Sequence, residues 1–169
     1  MHQTIKYIFF MKTHFLFPYK FKILGWILFI PSLLTFMLTS IFKLDIDKYL
    51  NIKVFAIYQE SIGQKPGFFK IIEDSFSYEL ITILIILGGL FICFSKLKNE
   101  DEYTSKIRYE SLVWATYFNY FLILFFTLFL YGMPFLNVIV YNVYTLLIFF
   151  MIRFHYLIYK LNKTSKDDE

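Results

Sequence analysis

The sequence predicts an all-α membrane protein with four transmembrane helices, cytoplasmic termini, and a small extracytoplasmic loop between helices 1 and 2. Three observations predict this fold class: the composition, the windows without charge, and a turn signal within the longest window. Of the 169 residues, 58% are hydrophobic and 18% are charged, and the mean hydropathy is +0.56. Soluble domains contain roughly 25% charged and 45–50% apolar residues. The surplus of apolar side chains therefore requires an apolar solvent.

Three windows without a charged residue predict the four spans. Residues 23–42 form a window of 20 residues, which as a helix rises about 30 Å and matches a bilayer core. Residues 80–95 form a shorter window, which flanking aromatic residues and a snorkelling Lys96 extend. Residues 111–152 would rise about 63 Å, so they must fold back at the "YGMP" turn, residues 131–134. The predicted spans are 21–42, 77–97, 111–131 and 134–159.

Residues 43–76 form the predicted extracytoplasmic loop. The β-prone runs "VFAIY" (54–58) and "FFKII" (68–72) flank the stretch "QKPG". Pro66 and Gly67 suit the two central positions of a type II turn. These features predict a small β-hairpin, with an amphipathic interfacial helix as the alternative.

Basic residues flank the predicted spans and indicate their orientation. The excess of Lys and Arg lies before span 1, between spans 2 and 3, and at the end of span 4 or beyond it. The positive-inside rule then places both termini and the 96–110 loop in the cytoplasm. A helical bundle indicates a bacterial inner membrane or a eukaryotic equivalent, of which the bacterial inner membrane is the predicted location. These cations are interpreted as topology anchors, and no direct contact with nucleic acid is expected. Met11 is a second candidate start, since the sequence from it reads as a basic and aromatic lead into span 1, and the ten residues before it are either not part of the protein or a short interfacial segment.

The charged segment, residues 98–110, is the most unusual part of the chain. Seven of its thirteen residues carry charge, and the next 42 residues carry none. Glu102, Lys106 and Glu110 follow the i, i+4 spacing of favourable helical pairs. The segment is therefore predicted to be a cytoplasmic extension of helix 3, capped by Asn99, with the acids 100–102 in its first turn. Arg108 is expected to pair with Asp101, with Glu110 or with the inner end of span 4.

Charged and amide side chains within the spans are the remaining candidates for function. Arg153 lies inside span 4 and is expected either to snorkel to the interface or to pair with Glu110 or Asn119. Asn119, Asn137 and Asn142 are interpreted as interhelical hydrogen-bonding residues. The alternative function that these residues suggest is a small transporter or channel subunit.

No signature of a hydrolase, a nucleotide-binding loop or a zinc site is found in the sequence. The protein is therefore expected to have no catalytic residues, no metal site and no cofactor. A lipid-modifying enzyme built on His155, Arg153 and Glu110 is the least favoured hypothesis. Cys93 lies inside span 2 and is interpreted as a small apolar core residue.

Three stretches carry a resemblance to a known family: "FLFPYKFKILGWILFIPSLL", "FSKLKNEDEYTSKIRYESLVWATYFNY" and "FLNVIVYNVYTLLIFFMIRFHYLIYK". The chain from Met11 resembles a family of small, uncharacterised four-span bacterial membrane proteins, often encoded beside a short helix-turn-helix regulator. The resemblance implies a membrane accessory or sensing role, and residues 1–10 depart from the pattern. The matching positions are Glu100, Asp101, Glu102, Arg108, Glu110, Ser111, Leu112, Trp114, Ala115 and Asn119.

The leading functional hypothesis is a non-enzymatic signalling, accessory or scaffolding protein that acts through residues 96–111. Its expected partners are the lipid bilayer, a cytoplasmic protein and a second copy of the chain. The candidate residues for interaction or helix pairing are Glu100, Asp101, Glu102, Arg108, Glu110, Ser111, Trp114, Asn119 and Arg153.

Overall fold

The computed structural model of the chain describes residues 15–48, 50–59, 67–98 and 100–167. The described elements are, in chain order, α1 (Tyr19–Phe42), β1 (Asn51–Gln59), β2 (Gly67–Ser75), α2 (Ser77–Phe94), α3 (Glu102–Phe129) and α4 (Met133–Asp167). The chain divides into two compact units, one of Met1–Ile27 with Ile86–Glu169 and the other of Leu28–Ile85. Asn99 and the choice between Met1 and Met11 lie outside the described residues.

Within the described part of the chain, four helices are long and apolar enough to cross a membrane: Tyr19–Phe42, Ser77–Phe94, Glu102–Phe129 and Met133–Thr164. Each has a mean hydropathy between 1.7 and 2.1 over its most apolar window, because few charged residues lie within that window. The prediction of a mostly helical, multi-pass membrane protein is thereby confirmed. The helical ends differ from the predicted ones: α2 ends at Phe94 rather than 97, and α4 continues to Asp167 rather than 159.

The loop between the first two helices forms the predicted hairpin. β1 and β2 pair antiparallel from Asn51 opposite Ser75 to Gln59 opposite Gly67. Lys53 faces Glu73 across the pair, with 3.5 Å between the ammonium and the carboxylate. Gly67 is paired with Gln59 within the hairpin rather than central in a turn, and Pro66 lies outside the described residues.

Helices α3 and α4 pack side by side as an antiparallel pair. Contacts run in opposite chain directions: the Asn119 amide reaches Asn142, the Phe118 ring stacks on Phe149, and Trp114 lies under Arg153. The YGMP stretch makes this reversal. Gly132 adopts a φ of +74°, which L side chains rarely tolerate, and Pro134 follows in the first turn of α4, where a missing N–H costs nothing.

The unit that contains α3 and α4 also holds the start of α1 and the end of α2. Its buried side chains include Ile92 and Cys93 of α2, Ile107 and Ala115 of α3, and Phe150 and Phe154 of α4. Gly25 of α1 lies directly against α2, where an added Cβ would be 2.9 Å from the Gly88 carbonyl oxygen. Gly25 therefore permits the close approach of these two helix segments.

Candidate interaction site around Arg108

Arg108, in the second turn of α3, forms a buried ion pair with Glu100 in the loop before the helix. Arg108 Nη1 donates to Glu100 Oε1 at 2.7 Å and Nη2 donates to Oε2 at 3.2 Å. The two side chains are 7% and 16% exposed. The expected partners, Asp101 and Glu110, were wrong, because the loop folds back and brings a residue eight positions earlier against the guanidinium. This bidentate, charge-assisted geometry fixes the loop to the helix.

Two further groups complete the surroundings of the Arg108 side chain. Nη2 also donates to the Ser95 carbonyl at 3.2 Å, and the guanidinium carbon lies 4.9 Å from the centre of the Phe154 ring. The expectation that Arg108 meets the end of span 4 is confirmed by this cation–π contact. Glu100 in turn accepts the Leu97 N–H at 2.7 Å through Oε2. Arg108 therefore joins the end of α2, the connecting loop, α3 and α4.

The segment before α1 lies against the same region. The Phe17 N–H donates to the Phe94 carbonyl and the Lys96 N–H donates to the Phe17 carbonyl, both at 2.9 Å. The Phe17 ring also meets the Phe91 ring edge-on at 5.1 Å. Lys22, in the first turn of α1, is half-buried and interacts electrostatically with Arg108 and Glu100.

Asp101 is the N-cap residue of helix α3. Its backbone is extended, and its carboxylate accepts the Thr104 N–H at 2.7 Å, which satisfies one of the free donors of the first turn. The helix therefore starts at Glu102, four residues after the predicted start at residue 98, with Asp101 in the capping role predicted for Asn99. Hydrogen bonds from the Thr104 hydroxyl and then from its N–H hold the pKa of the Asp101 carboxyl below its usual value.

We expect Asp101→Ala to destabilise the start of α3 by about 1 kcal/mol at pH 7. Because the folded pKa lies below the unfolded value of about 3.9, the stabilisation is complete above that pH and is lost as the pH falls through the folded pKa. Amide hydrogen exchange at residues 102–106, measured from pH 7 to pH 3, should show the difference from wild type shrinking with acid. Asp101→Asn, which keeps a capping oxygen without a charge, should remove the acid dependence and retain protection. Equal protection in all three proteins at pH 7 would show that the cap contributes nothing.

Three other charges of the charged segment remain exposed on one side of α3. Glu102, Lys106 and Glu110 follow each other at four-residue intervals, and we name them the exposed stripe. The Lys106 ammonium and the Glu110 carboxylate are 4.0 Å apart, with half or more of each side chain exposed. Tyr103 and Tyr109 are also exposed, at 54% and 69%. The segment thus separates into a buried, paired side and an exposed, mixed-charge side.

The candidates deeper along α3 contact α4. Asn119 and Asn142 donate to each other's amide oxygens at 3.2 and 3.0 Å, as expected for interhelical hydrogen bonding. Arg153 does not pair with Glu110 or Asn119. Its guanidinium lies over the Trp114 ring at 5.0 Å, because an aromatic face stabilises a cation at this depth without a carboxylate. Ser111 is fully buried, while Asn137 lies on the exposed side of α4.

The structure brings two of the nine predicted candidates, Glu100 and Arg108, into one pair, and Trp114 and Arg153 into another. Three groups that the sequence did not single out join the first pair: the Ser95 carbonyl, the Phe154 ring and Lys22. The Ser95 contact uses backbone and has no sequence signature. Phe154 and Lys22 share no helix with Arg108, so helical spacing gives no signal for them.

Comparison of the chain with protein-family models, with curated proteins and with solved structures finds no match. The resemblance to small four-span bacterial proteins therefore stays a prediction.

Proposed function

We propose that this protein is a non-enzymatic signalling, accessory or scaffolding component of a bacterial inner membrane, acting through residues 96–111. The observation that carries the proposal is the division of the charged segment. Glu100 and Arg108 neutralise each other in a buried pair and Asp101 caps the helix. Within the exposed stripe, Lys106 and Glu110 form a solvent-exposed ion pair at 4.0 Å. The Glu100–Arg108 pair holds the charged segment against the helices, and the exposed stripe is available to a partner.

The chemistry of the exposed stripe indicates the kind of partner. It carries two carboxylates and one ammonium along about 12 Å of helix, which gives it a net charge of −1. Tyr103 and Tyr109 flank it, and tyrosine is enriched in protein interfaces because it combines apolar area with a polar end. We expect a cytoplasmic protein with a basic, partly aromatic surface, as electrostatic complementarity requires.

A cytoplasmic position for this segment follows from the distribution of the cations. Twelve of the 17 Lys and Arg residues lie in the three regions on one side of the four spans, namely Lys6, Lys12, Lys20, Lys22, Lys96, Lys98, Lys106, Arg108, Arg153, Lys160, Lys163 and Lys166. The positive-inside rule places this side, with both termini, in the cytoplasm. A membrane-impermeant maleimide should label Ser61→Cys in intact cells and Lys106→Cys only after permeabilisation. Labelling of Lys106→Cys in intact cells would reverse the orientation.

Charge reversal of the exposed stripe tests the proposed interaction. We expect Glu102→Lys with Glu110→Lys to reduce co-purification of the cytoplasmic partner at least tenfold, because like charges then face each other across the interface. Membrane insertion should be unchanged, since both positions are exposed. The matched control reverses another exposed ion pair, Lys53→Glu with Glu73→Lys on the hairpin. Equal co-purification by the stripe variant and the wild type would refute the proposal.

The alternative of a small transporter or channel subunit receives less support from the contacts. Asn119 and Asn142 occupy each other's hydrogen-bonding groups, and the Arg153 guanidinium lies over an indole ring. These side chains are therefore occupied in joining α3 to α4, which is the role proposed for them here.

A further inference from the structure

The hairpin between α1 and α2 carries exposed apolar side chains on one of its faces. Phe55 and Ile57 alternate with half-buried residues along β1, so both lie on the same face. Ile71 lies opposite Phe55 in the register, and the Phe69 ring is 6.2 Å from the Phe55 ring. These four side chains, which we name the hairpin patch, are 65–72% exposed. Adjacent large apolar side chains that remain exposed mark a surface that another molecule covers.

The hairpin needs a further surface to be stable. Among the described residues its sheet has two strands. Two strands alone are marginally stable in water, and a third strand or packing against another apolar element is needed for stability. Since the hairpin patch is exposed, the described part of the chain does not supply that surface on this face. The cover must come from a molecule outside it.

The base of the hairpin is fixed at the ends of two membrane-crossing helices. The hydroxyl of Ser77, the first residue of α2, donates to the Ile46 carbonyl, and the Phe76 N–H donates to the Leu50 carbonyl, both at 2.9 Å. Phe76 is the one residue between β2 and α2. The end of α1, the hairpin and the start of α2 belong to the same compact unit, Leu28–Ile85. The hairpin therefore begins where these helices end.

The length of α2 places that base at the edge of the hydrocarbon core. The helix has 18 residues, and all of them belong to its apolar window. It rises about 27 Å, slightly less than the roughly 30 Å core that it has to cross. The whole helix is therefore needed to span the core, and the hairpin starts where the hydrocarbon ends. Ile71 is six residues before Ser77, within roughly 20 Å of that boundary.

The size and the chemistry of the hairpin patch favour lipid over a protein partner. A stable protein interface uses about 20–30 residues on each side, whereas this patch offers four. The centres of protein interfaces are enriched in Tyr, Trp and Arg, which also form hydrogen bonds. The Phe and Ile side chains of the patch have no hydrogen-bonding group, and acyl chains require none.

We propose that the hairpin lies on the bilayer surface, with the hairpin patch against the acyl chains of the adjoining leaflet. The backbone stays at headgroup depth, because the outer edges of a two-stranded sheet carry N–H and C=O groups that need water or headgroups as partners. Lys53 lies on the same face of β1 as Phe55, and its pair with Glu73 has no net charge. Contact with lipid therefore does not require an anionic headgroup. The inference depends neither on the proposed protein partner nor on which side of the membrane the hairpin occupies.

Electron paramagnetic resonance of the full-length protein in dioleoyl phosphatidylcholine bilayers tests this contact. A nitroxide label is attached at Ile57→Cys, and Cys93 is fully buried, so the reagent modifies the introduced cysteine. Collision with oxygen, which dissolves in lipid, is compared with collision with a nickel chelate, which stays in water. We expect the oxygen-to-nickel ratio at Ile57 to be about fivefold higher than at Ala56→Cys, the matched control, because Ala56 is the preceding residue and lies on the opposite face of β1.

A charged variant tests the hairpin patch itself. Ile57→Glu, with the label moved to Ile71→Cys, should lower the oxygen-to-nickel ratio about fivefold, because a carboxylate is costly in contact with acyl chains. Asn51→Glu is the matched control, since Asn51 is exposed on the same strand and lies outside the patch. It should leave the ratio at Ile71 unchanged.

Four outcomes would overturn the proposal. Equal ratios at Ile57 and Ala56 would show that the hairpin stands in water. Little collision with either reagent at Ile57, together with dipolar broadening between labels, would show that a second copy of the chain covers the patch. No change at Ile71 in Ile57→Glu would separate the patch from lipid contact. An equal fall in Asn51→Glu would attribute the effect to added charge anywhere on the hairpin.

Discussion

Arg108→Ala is expected to lower the free energy of unfolding by about 3–5 kcal/mol. The substitution removes the two guanidinium donors from Glu100, whose side chain is only 16% exposed, and leaves its carboxylate without its bidentate counter-charge. It also removes the donor to the Ser95 carbonyl and the cation over Phe154. The loop between α2 and α3 then loses the side chain that ties it to both α3 and α4. Unfolding measured by steric trapping in bicelles gives this free energy directly.

Two comparisons separate the buried pair from a general effect of charge. Lys106→Ala breaks the exposed pair with Glu110, which is 4.0 Å apart, and should cost no more than about 1 kcal/mol. Arg108→Met combined with Glu100→Gln removes both charges and should recover most of the loss, since neither member is left charged and unpaired. A cost for Arg108→Ala no larger than that of Lys106→Ala would contradict the structural role assigned to the pair.

Gly25→Ala is expected to destabilise the protein by about 1–3 kcal/mol through overpacking. The added Cβ would lie 2.9 Å from the Gly88 carbonyl oxygen and 2.9 Å from the Ile92 backbone nitrogen. Both are backbone atoms of α2, so the steric overlap can be relieved only if the two helix segments separate. Separation destabilises the pair because helices in lipid depend on close packing. The same steric-trapping measurement tests this prediction.

Leu24→Ala is the matched control for Gly25→Ala. Leu24 is the preceding residue on α1 and its side chain is 42% exposed. Its truncation should therefore change the free energy of unfolding by less than about 1 kcal/mol, as at positions that make few packing contacts. If Gly25→Ala is as stable as wild type, α1 does not approach α2 as closely as the structure places it.

The helices and the hairpin could be predicted because their signals are local. Windows without charge specify the apolar helices, since a single Lys or Asp inside a span is costly. The two β-prone runs at 54–58 and 68–72 fall inside β1 and β2. The reversal at Gly132 and Pro134 was likewise predictable, because the Gly/Pro break interrupts a charge-free stretch too long for one span.

The partners within the candidate site could not be predicted because they depend on tertiary structure. The sequence offers Asp101 and Glu110 as acids for Arg108, yet the carboxylate that it contacts is Glu100, which the loop carries back across eight residues. For Arg153 the sequence predicts either snorkelling to the interface or pairing with Glu110 or Asn119, but an indole ring on the neighbouring helix supplies the contact. Predicting the hydrogen-bonded pair of Asn119 and Asn142 requires the register of α3 against α4. The sequence contains three candidate asparagines in these helices and does not indicate which two form the pair.

A photocrosslinking scan along α3 in living cells tests the central claim most directly. The claim is that the exposed stripe binds a cytoplasmic protein while the opposite side of the charged segment holds the fold together. A photoreactive phenylalanine at Glu102, Lys106 or Glu110 should produce the same cross-linked protein, and the same residue at Lys53 or Glu73 of the hairpin should not. Cross-links that arise only from the hairpin, or a stripe that cross-links to no protein, would contradict the account.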